Sequence, residues 1–243
     1  MDIRFSDSPP TENMTLHYVM ATGDSGLVWV TETGAFLSHA GKTEGAEKVA
    51  YMPDLKIAYG PWGDLIACDI GSRFAESVKT GAVDLTDPES VKASLRQIGR
   101  DQLPEKEKGV LPQHQDSRGI ILVTLDGAPR AYQLCATWPP CAICVPHLKA
   151  ITAGDVNNSA RLFIDHYYAL SGKSTAEAIA IGLHAMRLAI KANPSTLGEP
   201  NVWFHQNGEF KRLNKKDLTA YSDFSRSVDD SVLDRFRTAP KPT

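Results

Sequence analysis

Thr15, Glu32 and Lys48 sit at the edges of three short runs that read as β-strands. Leu16 to Thr22 is apolar, aromatic and β-branched, and Leu27 to Thr33 repeats the pattern after the turn Gly23-Asp24-Ser25-Gly26. A third run, Lys48 to Met52, opens with the lysine, and a fourth covers Leu55 to Tyr59. A hydroxyl, a carboxylate and an ammonium on separate strands can converge in an antiparallel sheet, and together they have a chemical use. A threonine hydroxyl is a poor nucleophile by itself, and a free N-terminal amine can act as its base. A lysine held by a carboxylate keeps the surroundings of the hydroxyl electropositive. Gly60, where the fourth run breaks at Gly60-Pro61-Trp62-Gly63-Asp64, offers an amide that no side chain shields, a place for an oxyanion.

With those residues in order, residues 14–64 resemble the proteasome-type N-terminal-nucleophile hydrolases. The family pattern is a threonine opening the mature chain, an acid ending strand two, a lysine on strand three and Gly-x-x-Gly-Asp after strand four. Thr15, Glu32, Lys48 and Gly60/Gly63/Asp64 match it in sequence, with one extra residue between threonine and acid that fits the Gly23–Gly26 turn. The resemblance implies an α+β fold, a four-layer αββα sandwich, and a threonine peptidase acting on peptides or unfolded protein. It also implies self-assembly into a ring or spiral. The alternative is a catalytically silent structural or binding subunit of the same fold. Two sites depart from the family. Thr152-Ala153-Gly154 stands where proteasome β subunits have Gly-Ser-Gly, and Asn193 replaces the acid before the Ser-Gly-Gly loop, as in Anbu-type members. The resemblance makes Asn193 a fifth candidate site residue and loosely matches Ser195, Thr196 and Gly198 to that loop.

The elements that must position these residues follow in order. Leu65, Ile66, Ile70, Phe74 and Val78 recur at helical spacing, ending at Lys79-Thr80 with Gly81 as the cap residue. Asp87 caps a second helix with Pro88 at its first position and Val91, Leu95 and Ile98 as its buried stripe. Residues 104–117 are charged and polar, as in a surface loop. Gly119 to Leu125 is an almost unbroken apolar run, expected of a strand covered on both faces, and Asp126-Gly127 turns it back through Arg130 to Cys135. A further strand is expected over Ile143 to Thr152, helices over Asn158 to Leu170 and from a Ser174/Glu177 capping box to Ala192, and a hairpin around Asn207-Gly208. A polar amphipathic helix, Lys216 to Arg237, closes the chain. The expected organisation is a leader or propeptide over 1–14, a hydrolase domain over 15–215 and a helical tail over 216–243. Paired helices between antiparallel strands indicate α+β.

The 243 residues are 42% hydrophobic and 23% charged, which is the composition of a globular protein. A net charge of −3 argues against a nucleic-acid binder, and no apolar run is long enough to span a membrane. The N-terminus lacks the apolar core of a secretory signal, and four cysteines without one suggest a reducing cytoplasm. No cofactor is called for. Cys135, Cys141, Cys144 and His147 have zinc-type ligand chemistry, yet all four lie on one presumed hairpin, so they are expected to be metal-free. His17 alternates with apolar neighbours and reads as a packed or subunit-facing histidine; Trp29 and Trp203 read as core or interface.

Overall fold

The alternating apolar runs become strands that pair in register in a computed structural model describing residues 15–37, 41–43, 46–110, 118–145, 149–154, 159–194 and 197–237. Strands β1 (Leu16–Ala21) and β2 (Leu27–Glu32) form the expected hairpin, with His17 opposite Thr31 and Val19 opposite Trp29. A short hairpin follows, β3 (Ala35–Leu37) with β4 (Gly41–Thr43). Next come β5 (Ala50–Met52) and β6 (Ile57–Trp62), then helices α1 (Leu65–Lys79) and α2 (Pro88–Gln102). After these run β7 (Gly119–Thr124), β8 (Arg130–Cys135), β9 (Cys141–Cys144) and β10 (Ala150–Gly154). Helices α3 (Ser159–Leu170) and α4 (Thr175–Ala192), strands β11 (Pro200–Gln206) and β12 (Glu209–Arg212), and helix α5 (Lys215–Arg237) complete the chain.

Two antiparallel five-stranded sheets result, ordered β10-β1-β2-β11-β12 and β5-β6-β7-β8-β9. Strand alternation divides their side chains among three apolar layers. Leu16, Tyr18, Met20, Val28 and Val30 meet α3 and α4 through Ile164, Tyr168, Leu183 and Met186. Ile57, Ile120, Leu122 and Leu134 meet α1 and α2 through Ile70, Phe74, Val91 and Leu95. Between the sheets lie Val19, Leu27, Trp29, Ala58, Trp62, Ile121 and Val123. Three apolar layers separate four structural ones, so the architecture is the expected αββα sandwich. Each fully buried aliphatic side chain contributes about 1.5–3 kcal/mol, so a one-residue register slip that turned a strand inside out would cost many times that.

The helix ends follow local chemistry. Asp87 accepts from the amides of Glu89 and Ser90, and the Ser174–Glu177 capping box is present. Gly81 takes φ +74° and donates to Val78 O, the expected termination of α1.

Two strand expectations are corrected. The run over Ile143 to Thr152 is two strands on different sheets, β9 at the edge of one and β10 at the edge of the other. In the sequence a proline, a residue type with no N–H to give a ladder, stands between the two at position 146. The fourth strand starts later and runs further than Leu55–Tyr59. Pro53–Leu55 forms a 3-10 turn closed by Lys56 at φ +53°, and β6 continues through Gly60 and Pro61 to Trp62. Strand β6 accommodates the proline because Pro61 stands opposite Ile120 in a pair that exchanges no hydrogen bond, so its missing N–H leaves no gap in the ladder.

Candidate active site

Thr15 is the residue before β1, and the neighbouring strands fix its backbone. Thr31 Oγ1 donates to Leu16 O at 3.2 Å. Gly154, opposite Leu16 at the end of β10, takes φ +108°, and a Cβ there would stand 1.6 Å from Thr15 O. Only glycine allows that approach. The Gly154 of the divergent Thr152-Ala153-Gly154 stretch thus seats the threonine.

Lys48 Nζ donates to Thr15 Oγ1 at 3.0 Å and stands 3.6 Å from Glu32 Oε1. Thr15 is 4% exposed and the Glu32 side chain 0%, while the Lys48 side chain keeps 14%, so water reaches the site from the lysine side. A carboxylate so enclosed must be well bonded. Glu32 Oε2 accepts from the amides of Gly34 and Gly198, the latter at 3.0 Å. Burial pushes the Glu32 carboxyl above the usual carboxylate range, against the pull of Lys48 and of the two amides.

Lys48 lies two residues ahead of β5, and its segment is tied to the first sheet from both sides. Ala46 N donates to Thr33 O at 2.8 Å, and the Glu47 carboxylate accepts from Asn201 Nδ2 and Arg212 Nη1, each at 3.2 Å. Neither the two glycine amides on Glu32 nor this clamp around Glu47 was anticipated. A backbone donor such as Gly34 N has no residue-type signature, and the Gly198, Asn201 and Arg212 partners lie more than 150 residues away in the chain.

Gly60 is packed from the opposite sheet. A methyl group there would lie 2.6 Å from Trp29 Cζ2 and 2.9 Å from His17 Cε1. Its amide is occupied. Leu125 N donates to Lys56 O at 2.8 Å, so alternate pairs along β6 and β7 exchange hydrogen bonds, and Gly60–Ile121 is one of them. An oxyanion at Gly60 N must share that proton with Ile121 or draw the end of β6 away from β7.

His17 does more than pack. Trp29 Nε1 donates to its Nδ1 at 3.2 Å, so the ring carries its proton on Nε2, which donates to Pro61 O, also at 3.2 Å. The histidine thereby joins β1 of one sheet to β6 of the other beside Gly60. Burial, with Lys48 as a lesser contributor, takes its pKa down to about 4. Arg118, just ahead of β7, makes a second clamp. Its Nε lies 3.2 Å from Asp64 Oδ2 and its Nη2 3.1 Å from Glu107 Oε1. The other Asp64 oxygen caps α1 through Ile66 N at 3.0 Å, so one carboxylate fixes both the helix start and the turn after Gly60.

Asn193 is placed at the C-terminus of α4. Its Nδ2 donates to Ala189 O at 3.3 Å, and its carbonyl accepts from Leu197 N at 3.1 Å, shaping the loop that carries Gly198 to Glu32. The structure therefore assembles Thr15, Glu32 and Lys48 directly, sets Gly60 beside Lys48 O, and links Asn193 to them through that loop. Residues 1–14, Ser195, Thr196 and His147 lie outside the described residues. Among the described residues no three His, Cys, Asp or Glu side chains are grouped to hold a metal, and no helix is long and apolar enough to cross a membrane.

No protein-family model matches the chain, and no curated relative does. Solved structures do. Anbu from Hyphomicrobium sp. strain MC1 superposes with a TM-score of 0.69 at 14% identity, covering 94% of this chain and 100% of that one. Anbu from Yersinia bercovieri, described as an ancestral β-subunit, gives 0.68 at 13% identity over 94% and 99%. A helical assembly of the Anbu complex from Pseudomonas aeruginosa gives 0.66 at 15% identity over 94% and 98%. The chain has the Anbu proteasome-like fold.

Proposed function

We propose that this protein is a threonine-type hydrolase that cleaves peptide bonds with Thr15 as its nucleophile. The observation that carries the reading is the 3.0 Å hydrogen bond from Lys48 Nζ to Thr15 Oγ1, with Glu32 3.6 Å behind the lysine. A lysine beside a hydroxyl at the start of a strand serves no apparent purpose in packing, while it favours the developing alkoxide. With the Met14–Thr15 bond cleaved, the freed amine takes the Oγ1 proton, directly or through water, and Oγ1 attacks the substrate carbonyl. Lys48 stabilises the charge, Glu32 orients Lys48, and Asn193 acts at a distance by shaping the Gly198 loop. Gly60 supplies the oxyanion amide once that N–H leaves Ile121. Water then releases the acyl group. The substrate class is peptide or unfolded protein. Self-assembly, in the manner of the helical Pseudomonas aeruginosa complex, would enclose the sites. A cytoplasmic location fits the cysteine content.

The bond between Gly60 N and Ile121 O favours a second reading, a silent structural subunit of the same fold. One experiment separates the two. Purified protein is sequenced from its N-terminus and assayed with fluorogenic peptides. Turnover confined to chains that begin at Thr15, and lost in Thr15→Ala, is the expected result. Processed protein without turnover would leave the scaffold reading standing.

A further inference from the structure

The cysteine-rich hairpin has no part in the proposed hydrolysis, and its geometry carries a separate inference. In sequence the conspicuous pair is Cys141-x-x-Cys144, the spacing of redox and metal motifs. In the structure these two residues lie on one extended strand, β9, three positions apart. Side chains at odd spacing on a strand point to opposite faces. Cys144 accordingly packs on the layer beneath α1 and α2, whose members include Tyr132, Leu134 and Ala142. Cys141 is on the other face and exposed. The two sulfurs of the motif are therefore separated by the sheet itself.

A different pair is brought together. Cys135 ends β8 and stands directly opposite Cys141 in the β8–β9 register. Opposed residues share a face, and Cys135 packs at the margin of the layer between the sheets, with Ala131 and Val145 from the same hairpin. Val145 N donates to Ala131 O at 2.8 Å, and two steps of alternation make Cys135–Cys141 the same hydrogen-bonded kind of pair. Such pairs hold their Cα atoms about 5.5 Å apart, inside the roughly 4.4–6.8 Å range that a disulfide bridges. Their Cβ atoms stand about 4.5–5.5 Å apart, whereas a relaxed disulfide has about 3.8 Å. The bond must therefore draw the strands inward. Strand β9 can supply that movement because it is the outermost strand of its sheet.

We propose that Cys135 and Cys141 form a reversible thiol oxidation site, a cross-strand disulfide made by a peroxide and undone by a dithiol. Exposed Cys141 meets the oxidant first. Its thiolate attacks a peroxide oxygen, the O–O bond breaks, and the products are a sulfenic acid on Cys141 and hydroxide. The Cys135 sulfur then gives up its proton, attacks the Cys141 sulfur and displaces the hydroxyl, which leaves as water. The two thiols together lose two electrons and two protons, and the peroxide is reduced to two waters. Burial, and then the neighbouring Cys141, raise the Cys135 thiol above its ordinary pKa, which suits Cys135 to the second, resolving step rather than the first. The inward pull on the strands makes the bond strained and easily reduced, as regulatory disulfides are.

The test uses full-length native protein exposed to a small excess of hydrogen peroxide and then to N-ethylmaleimide, with mass spectrometry of the intact chain. The expected result is loss of two hydrogens and of two of the four free thiols, restored by dithiothreitol. Tandem spectra of the tryptic peptide spanning 131–149 should link Cys135 to Cys141 and leave Cys144 alkylated. Cys135→Ser and Cys141→Ser should each abolish the mass change, while Cys68→Ser and Cys144→Ser should keep it. Unfolding the protein before oxidation should remove the selectivity, which shows that the register chooses the pair. A disulfide involving Cys144, a bond between chains, or four thiols still free after peroxide would each overturn the proposal.

Discussion

Two polar clusters in this molecule are built from similar parts. At the mouth of the sheet pair, Glu32 and Lys48 meet Thr15. Between α4 and α5, Asp229 meets Lys191 at 3.1 Å, His184 at 3.6 Å and Arg187 at 3.7 Å, while the His184 ring and Arg187 both reach the Ser225 hydroxyl. Each cluster combines a carboxylate, at least one cation and a hydroxyl. A cation donates to the hydroxyl in both, Lys48 to Thr15 and Arg187 to Ser225, so they differ in what holds the carboxylate and in where the hydroxyl lies. Lys48 gives its bond to a hydroxyl and leaves its carboxylate to two backbone amides. Lys191 gives its bond to the carboxylate, which closes the group on itself and ties two helices together. Charge density and buried hydroxyls are common to both, so neither marks chemistry. The mark is a cation aimed at a hydroxyl that also lies at a strand start.

Substitutions can break this comparison. The largest effect is expected from Lys48→Ala, which should lower kcat/KM for fluorogenic peptides about 100-fold or more by removing the charge beside Thr15 Oγ1. It should also lower stability by up to roughly 3–5 kcal/mol, because Glu32 is left buried without its cation. Wild-type turnover in this variant would show the first cluster to be as structural as the second.

His17→Leu comes next. The folded pKa of His17, about 4, lies below the ordinary 6.5. Stability that depends on the neutral ring is therefore fully present above about pH 6.5 and is lost as pH falls through about 4. The shift corresponds to about 3 kcal/mol across that window. Urea unfolding at a series of pH values should show this slope in the wild type and a flatter one in the variant. Equal slopes would mean that His17 does not carry the acid sensitivity.

Asp229→Ala should cost about 1 kcal/mol and leave peptidase turnover unchanged. Burial alone would push the Asp229 carboxyl up, but Lys191, His184 and Arg187 together hold it below the usual carboxylate range. Loss of turnover would show that the second cluster reaches the site. The smallest effect is expected from Lys191→Ala, about 0.2–0.5 kcal/mol in thermal unfolding, because that lysine is exposed.

The elements of the first cluster were legible in the sequence because strand alternation and turn residues are local. Thr15, Glu32 and Lys48 each fall at a boundary that composition marks. Helix caps at Asp87, Ser174 and Gly81 were legible for the same reason. What joins the boundaries was not. The Gly198 amide on Glu32 and the Arg118–Asp64 pair depend on which strands become neighbours, β2 with β11 and β6 with β7, and the Asn201–Glu47 bond depends on how the two sheets face each other. The Trp29–His17 bond depends on side-chain direction across a hairpin, which residue type alone leaves open. The split of residues 143–152 between two sheets was hidden because a fully apolar run reads alike in either sheet. The fate of the Gly60 amide was hidden because it turns on the parity of a ladder: shifting β6 by one residue would release it.

The pairing of β1 with both neighbours begins at Leu16, which faces Gly154, and at His17, which faces Thr31. No rung of either ladder belongs to Thr15. Scission of the peptide bond ahead of it would therefore leave every cross-strand bond of β1 intact, and the Thr15 carbonyl would stay seated against Gly154. Among the described residues, nothing upstream of Leu16 adds a rung to either ladder. Release of the Thr15 amine, as proposed, and the pairing of β1 are in this respect separable, because the described ladders would read the same before and after the cut.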